Sequence, residues 1–230
     1  GAVKALAAMG DKRAFGPLVT WLDAGDSPLI EQRLVAEALV AVDPQRAAGP
    51  LTQWLAEKDA NFTETYVIRQ LGKIGSAGSA DVLRARLLSV TFNSAYANLF
   101  FHDMDLAASS MERGRYPAYD LAIAYGRCAG PESLPVLIMC LRSPWSFALH
   151  AGAAEALGEF GDARAVPNLV RALNDEYWPV QRAAATALGR IGDRAALAAL
   201  KKAAGYGDWR VRQAAEAAVQ AIETAATSRP

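Results

Sequence analysis

The chain has 230 residues, and its 24 Lys and Arg residues balance its 24 Asp and Glu residues, so its formal net charge is zero. This balance disfavours nucleic-acid binding, which depends on neutralising phosphates, and it weakens the case for a role at a charged membrane surface. No apolar run approaches the ~20 residues that a membrane-spanning helix needs, and the N-terminal GAVKALAAMG shows no signal-peptide pattern.

The chain contains two cysteines, Cys128 and Cys140, which are too few for a disulfide framework. We expect both to be reduced thiols that pack as small hydrophobes. This cysteine usage favours a cytoplasmic location.

A sequence motif of the type ALGxxGD recurs along the chain and defines a repeat. Its markers are Ala5, Ala38, Gln70, Ala124, Ala156, Ala187 and Ala218, with spacings of 33, 32, 54, 32, 31 and 31 residues. Regular spacing of this length is typical of helical repeats that stack into a solenoid, because one unit cannot bury its apolar face alone. The first marker lies so near the start that we expect the chain to begin inside a repeat.

The single long spacing contains an insertion near 90–115, which we bound at about 91–114. Its stretch FNSAYANLFFHDMD has apolar residues at three- and four-residue steps, so the pattern predicts a helix with Asn98, His102 and Asp105 on its polar side. Together with Phe101, these residues form a candidate contact patch. His102 and Asp105 alone would make half a metal site, so no metal is predicted.

Each remaining unit reads as two helices. In VQRAAATALGRIG the residues Val180, Ala184 and Leu188 recur on one face, and the second helix of ARAVPNLVRAL buries Leu169 in the same way. The Gly–Asp pairs that join the two helices, such as Gly161–Asp162 and Gly192–Asp193, are typical of helix punctuation. They are not a phosphate-binding loop.

The segments AAEALGEFGDARAVPNLVRALND and VRQAAEAAVQAI resemble HEAT repeats, in particular the short type of the phycobilisome-lyase-like family. The resemblance implies an all-α, right-handed α-solenoid of about six HEAT-like helical hairpins. We expect one solenoid over 1–223 and a flexible tail over 224–230. One protein of this type, an iron-dependent hydroxylase, carries His–Glu pairs on its helices. This chain has no such pair, because His102 precedes Asp103 and His150 precedes Ala151. Hydroxylase activity is therefore not expected.

No set of nucleophile, base and orienting group is evident, so no catalytic residue is predicted, and no cofactor. His150 is interpreted as a structural polar group. In HEAT solenoids the second helices usually line the concave side, where partners bind. Alignment on the markers places six candidate partner-binding residues in this groove: Trp21, Trp54, Arg86, Met139, Arg171 and Lys202. Alternatively, Trp21 and Trp54 merely cover the helix of the next repeat.

The sequence therefore predicts a non-enzymatic, bacterial scaffold or adaptor that binds a protein partner, as part of a larger protein or complex. One alternative is a bilin-lyase-like or pigment-complex chaperone subunit, which the resemblance permits. A second alternative is a nucleic-acid-binding solenoid, which the neutral charge disfavours. Neither a small-molecule ligand nor a membrane contact is expected.

Overall fold

The secondary structure in the computed structural model consists of helices and 3₁₀ turns, and no strand occurs in the part of the chain that is described. That part comprises residue 3 and residues 11–23, 29–57, 62–92, 117–143 and 146–227. The α-helices are α1 (Phe15–Asp23), α2 (Leu29–Val42), α3 (Pro44–Glu57), α4 (Phe62–Ile74), α5 (Ala80–Phe92), α6 (Pro117–Ala129), α7 (Leu134–Cys140), α8 (Phe147–Phe160), α9 (Val166–Ala172), α10 (Trp178–Ile191), α11 (Leu197–Ala204) and α12 (Trp209–Thr227).

The helices form two layers that follow the repeat. The even-numbered helices are the first helices of each unit, and they pack on one another in chain order from α2 to α12. The odd-numbered helices are the second helices. The repeat markers within the described residues all lie buried in first helices: Ala38, Gln70, Ala124, Ala156, Ala187 and Ala218. This arrangement confirms the all-α solenoid.

The turns between the paired helices follow the predicted punctuation. Gly161 and Gly192 end α8 and α10 with φ values of 68° and 75°, a left-handed conformation that glycine adopts without steric cost. The next residues then cap the following turn: Asp162 Oδ1 accepts a hydrogen bond from the Arg164 amide at 2.9 Å, and Asp193 Oδ1 accepts one from the Ala195 amide at the same distance.

The stack of first helices is continuous across the long spacing. Helix α4 packs directly on α6, although 42 residues separate Ile74 from Pro117. The approach is close, because a Cβ atom on Gly72 would lie 2.8 Å from the Cα atom of Ala124. The predicted helix of the insertion lies outside the described residues.

A single apolar core runs along the array between the two layers. It includes Phe15 and Leu18 in α1 and continues to Ala218 and Ile222 in α12. The residues on the predicted apolar faces belong to it: Val180, Ala184 and Leu188 from α10 and Leu169 from α9 are all fully buried. None of the described helices is long and apolar enough to cross a membrane.

Candidate functional site

The second helices present one mostly exposed strip and one mostly buried column, which occupy adjacent sequence positions. The strip, which we call the second-helix strip, comprises Thr20, Gln53, Ala85, Met139, Arg171 and Lys202. All of these residues are exposed except Met139, which is half-buried. In the next column, the side chains of Trp54, Cys140, Ala172 and Ala203 point into the core. The strip is therefore the accessible part of the predicted groove.

The prediction that Trp54 offers its ring to a partner is wrong. Its side chain is only 2% exposed and belongs to the apolar core. The indole Nε1 is also buried, and no hydrogen-bond acceptor for it lies among the described residues. Trp21 is half-buried and packs against the same core. Both tryptophans thus contribute packing between helices.

Arg86 is half-buried and holds two neighbouring elements together. Its Nη2 donates a hydrogen bond to the carbonyl oxygen of Leu55 at 2.8 Å, near the end of α3. Its Nε lies 3.6 Å from Glu64 Oε1 in α4. A cation at the C-terminal end of a helix stabilises carbonyl groups that have no partner within the helix. Arg86 therefore has a structural role at this seam, in addition to its place beside the strip.

Among the six candidate groove residues, Arg171 and Lys202 are the exposed cations. They lie in α9 and α11 at equivalent positions of consecutive repeats. The four residues of the separate candidate contact patch in the insertion, Asn98, Phe101, His102 and Asp105, lie outside the described residues. The strip thus has its charged end in the C-terminal repeats.

His150 bridges three segments, in agreement with its interpretation as a structural group. Its Nδ1 lies 3.2 Å from Asp175 Oδ2, and its Nε2 contacts the carbonyl oxygen of Ser143. Asp175 Oδ1 also accepts a hydrogen bond from the Tyr177 amide at 3.0 Å. With both ring nitrogens engaged, His150 joins the turn after α7 to the turn before α10.

The cysteines are poorly suited to nucleophilic chemistry. Burial raises the pKa of the Cys128 thiol to about 11 and that of the Cys140 thiol to about 12. A thiol reacts as its thiolate, which is scarce when the pKa is raised. Both are free cysteines. Within the described ranges, no three His, Cys, Asp or Glu side chains cluster as a metal site would require.

Polar pairs tie the first helices together on the opposite layer. Arg69 Nε of α4 donates to Asp120 Oδ2 of α6 at 2.7 Å. One repeat further, Arg127 of α6 makes two hydrogen bonds to the Glu159 carboxylate of α8, at 2.8 and 2.6 Å. Burial raises the pKa of Asp120 to about 6, although the Arg69 guanidinium opposes this rise. These pairs fix the register between successive repeats.

Tryptophans and an arginine stack at one edge of the C-terminal repeats. The Arg210 guanidinium lies 4.5 Å from the ring centroid of Trp178 and 4.8 Å from that of Trp209. Such cation–π contacts stabilise both partners. Trp178 and Trp209 are therefore neighbours along this edge, and Arg210 lies between them. Trp209 remains 56% exposed. Trp145 lies outside the described residues.

Comparison with known proteins gives matches to helical-repeat proteins. A family model described as HEAT repeats matches residues 134–220. Comparison with curated protein sequences gives no significant match. A similar solved structure is the complex of CpcE and CpcF of phycocyanin lyase from Nostoc sp. PCC7120, with 16% identity and a TM-score of 0.53 over 96% of this chain and 88% of that chain.

Another similar structure is human deoxyhypusine hydroxylase in complex with glycerol, with 18% identity and a TM-score of 0.43 over 96% of this chain and 99% of that chain. The family match covers the C-terminal repeats, and the phycocyanin lyase comparison extends the likeness of fold over nearly the whole chain. The chain therefore carries HEAT repeats over residues 134–220, and its fold is similar to that of the phycocyanin lyase subunits over nearly its whole length.

Proposed function

We propose that this chain is a non-catalytic scaffold or adaptor that binds a protein partner through the second-helix strip, in the cytoplasm and as one solenoid over 1–223. The observation that carries the proposal is the strip itself. One residue per repeat is exposed or half-buried at the same helical position, while its sequence neighbour is buried in four of the six repeats and half-buried in the other two. Stacked repeats create an extended surface of this kind, and repeat proteins use it for binding.

The charged end of the strip supports a partner with acidic side chains at that position. Arg171 and Lys202 are exposed, and no ion pair to either side chain occurs within the described residues. Arginine is enriched among the residues that dominate binding energy at protein interfaces. Charges on a surface also accelerate encounter with a partner of opposite charge.

The experiment compares charge reversal inside and outside the strip. The test variant carries Arg171→Glu and Lys202→Glu, and its matched control carries Arg142→Glu and Arg194→Glu, which are exposed positions outside the strip. The wild type and both variants are immobilised separately and incubated with cell extract of the organism that produces this protein, and the retained proteins are quantified. The affinity of a retained protein is then measured after purification.

We expect a partner that binds wild type and control with equal affinity and binds the test variant about tenfold more weakly or worse. Equal affinity for all three proteins would contradict the strip as the binding surface. Turnover of a substrate by the purified protein, with partner binding unchanged in the test variant, would contradict the non-catalytic role.

The lyase-like alternative has its own measurement. An open-chain tetrapyrrole is mixed with the purified protein, and its visible absorbance spectrum is recorded. The scaffold role predicts an unchanged spectrum, because a bound and extended bilin would absorb differently from a free one. A saturable spectral change would favour the pigment-handling alternative.

A further inference from the structure

A cleft lies in the first-helix layer, away from the second-helix strip. It has a volume of about 200 Å³ and is formed by residues from α6, α8 and α10. Its polar lining consists of Tyr119, Glu155, Arg182, Thr186 and Arg190. Thr186 and Arg190 are exposed, so they form the rim, whereas Arg182 and Glu155 are half-buried.

Tyr119 and Glu155 make one wall of this cleft. Tyr119 belongs to α6, and its hydroxyl group donates a hydrogen bond to Glu155 Oε2 of α8. Gly152 allows α8 to approach α6 closely here, because a Cβ atom at that position would lie 2.5 Å from the carbonyl oxygen of Tyr119. Burial, together with the Glu155 carboxylate, raises the pKa of the Tyr119 hydroxyl, which therefore stays protonated and donates.

Arg182 on the opposite wall has unused hydrogen-bonding capacity. Its Nε is buried, and no acceptor for it is found in the part of the chain that the structure describes. The guanidinium carbon lies 5.7 Å from the ring centroid of Trp178, a cation–π contact that restrains the side chain. A buried donor without an acceptor is costly, so an acceptor that reached this guanidinium would remove that cost.

The charges of the lining indicate the sign of that group. Arg182 and Arg190 contribute two positive charges, against the single negative charge of Glu155, which is already hydrogen-bonded by Tyr119. No ion pair to either arginine occurs in the described ranges. The cleft therefore has an excess of about one positive charge, which a monoanion neutralises and a doubly charged phosphate exceeds.

From the unpaired guanidinium, the positive excess and the size of the cleft, we propose that it binds a carboxylate, with Arg182 as the principal ligand and Arg190 at the rim. The guanidinium group presents two parallel N–H donors that match the two oxygens of a carboxylate. The volume is smaller than the ~300–1,000 Å³ of pockets for drug-sized ligands. It suits a small organic acid, or the side-chain carboxylate of a polypeptide. This site goes beyond the proposed scaffold role and is independent of the strip.

The test follows the Arg182 Nε–H resonance by NMR while sodium acetate is added at constant ionic strength, with chloride as the reference anion. We expect a saturable shift of this resonance with acetate and none with chloride. Arg182→Gln should weaken acetate binding by about tenfold or more, as judged from Thr186 and Arg190 resonances. Arg194→Gln, an exposed change in the following turn, should leave binding unchanged.

Two peptides then distinguish the source of the carboxylate. An end-blocked tripeptide whose only charge is that of a central Glu is compared with the same peptide containing Gln. Tighter binding of the Glu peptide than of acetate indicates a partner's side chain, whereas equal or weaker binding indicates a small organic acid. The proposal is overturned if acetate causes no saturable shift, or if Arg182→Gln, shown to be folded by its amide spectrum, binds acetate as the wild type does.

Discussion

The backbones of Gly158 in α8 and Ala187 in α10 approach so closely that a Cβ atom on Gly158 would lie 2.6 Å from the Ala187 Cα atom. The same relationship recurs at three further seams, where a glycine two residues after one marker faces the next marker: Gly72 with Ala124, Gly126 with Ala156, and Gly189 with Ala218. A glycine opposite an alanine is thus the contact that sets the distance between consecutive first helices.

Gly158→Ala is expected to destabilise the protein by about 1–3 kcal/mol, because the added methyl group must push α8 away from α10. The control is Gly49→Ala in α3, where nothing lies within 4 Å of the added atom. The control should stabilise the protein by about 0.5–1 kcal/mol through its better helix propensity. Urea unfolding followed by circular dichroism measures both, and equal effects would contradict the spacing role of Gly158.

Trp54 offers a test of its assignment to the core. Trp54→Ala should destabilise the protein by about 3–5 kcal/mol, because it leaves a large cavity. Trp54→Phe should cost much less, since it keeps an aromatic ring and removes the buried indole N–H that has no acceptor among the described residues. Equilibrium unfolding gives the two values. A destabilisation below about 1 kcal/mol for Trp54→Ala would show that the ring is not part of the core.

Asp120 makes stability depend on pH. Its pKa is about 6 in the folded protein, above the ~3.9 of an unfolded chain, so between these values the folded state binds more protons. Stability contributed by this group is therefore present at low pH and falls as pH rises from about 4 to about 6. The slope is at most about 1.4 kcal/mol per pH unit.

Asp120→Asn should remove this slope while leaving the contributions of the other acidic groups in place. The measurement is the difference in unfolding free energy between wild type and variant as a function of pH. We expect the wild type to lose stability relative to the variant as pH rises through this window. A constant difference would mean that the ion pair with Arg69 offsets burial, and a slope of opposite sign would mean that it outweighs burial; either result contradicts the prediction.

Cys128 and Cys140 should resist thiol reagents while the protein is folded. Burial raises the pKa of both thiols, and the Cys128 Sγ also donates to the carbonyl oxygen of Leu71 at 3.4 Å. At mildly alkaline pH we expect slow labelling by a disulfide reagent in buffer and rapid labelling of two thiols per chain in denaturant. Rapid labelling in buffer would mean that the thiols are accessible in the folded state.

The helices and their turns could be predicted from the sequence because both depend on local chemistry. Apolar residues at three- and four-residue steps place one face of α10 in the core, and the Gly192–Asp193 pair ends that helix and caps the next turn. The glycines at the seams were also within reach of sequence reasoning, because Gly126, Gly158 and Gly189 follow their markers at a constant distance.

The exposure of individual groove residues could not be predicted in this way. The side chains of adjacent residues on a helix point about 100° apart. If the assumed rotation of α3 about its axis is wrong by one residue, the buried Trp54 is assigned to the surface in place of the exposed Gln53. The rotation of α3 about its axis is set by the helices that pack against it.

The sequence by itself determined that this protein is a stack of helical pairs, since period, capping and repeat spacing are encoded within each unit. Only the tertiary structure decided which side chains meet between units. Tyr119 reaches Glu155 across a close helix contact, and Arg182 faces the same cleft without an acceptor among the described residues. Such pairings depend on the distance and rotation between neighbouring helices, which packing sets and no local pattern records.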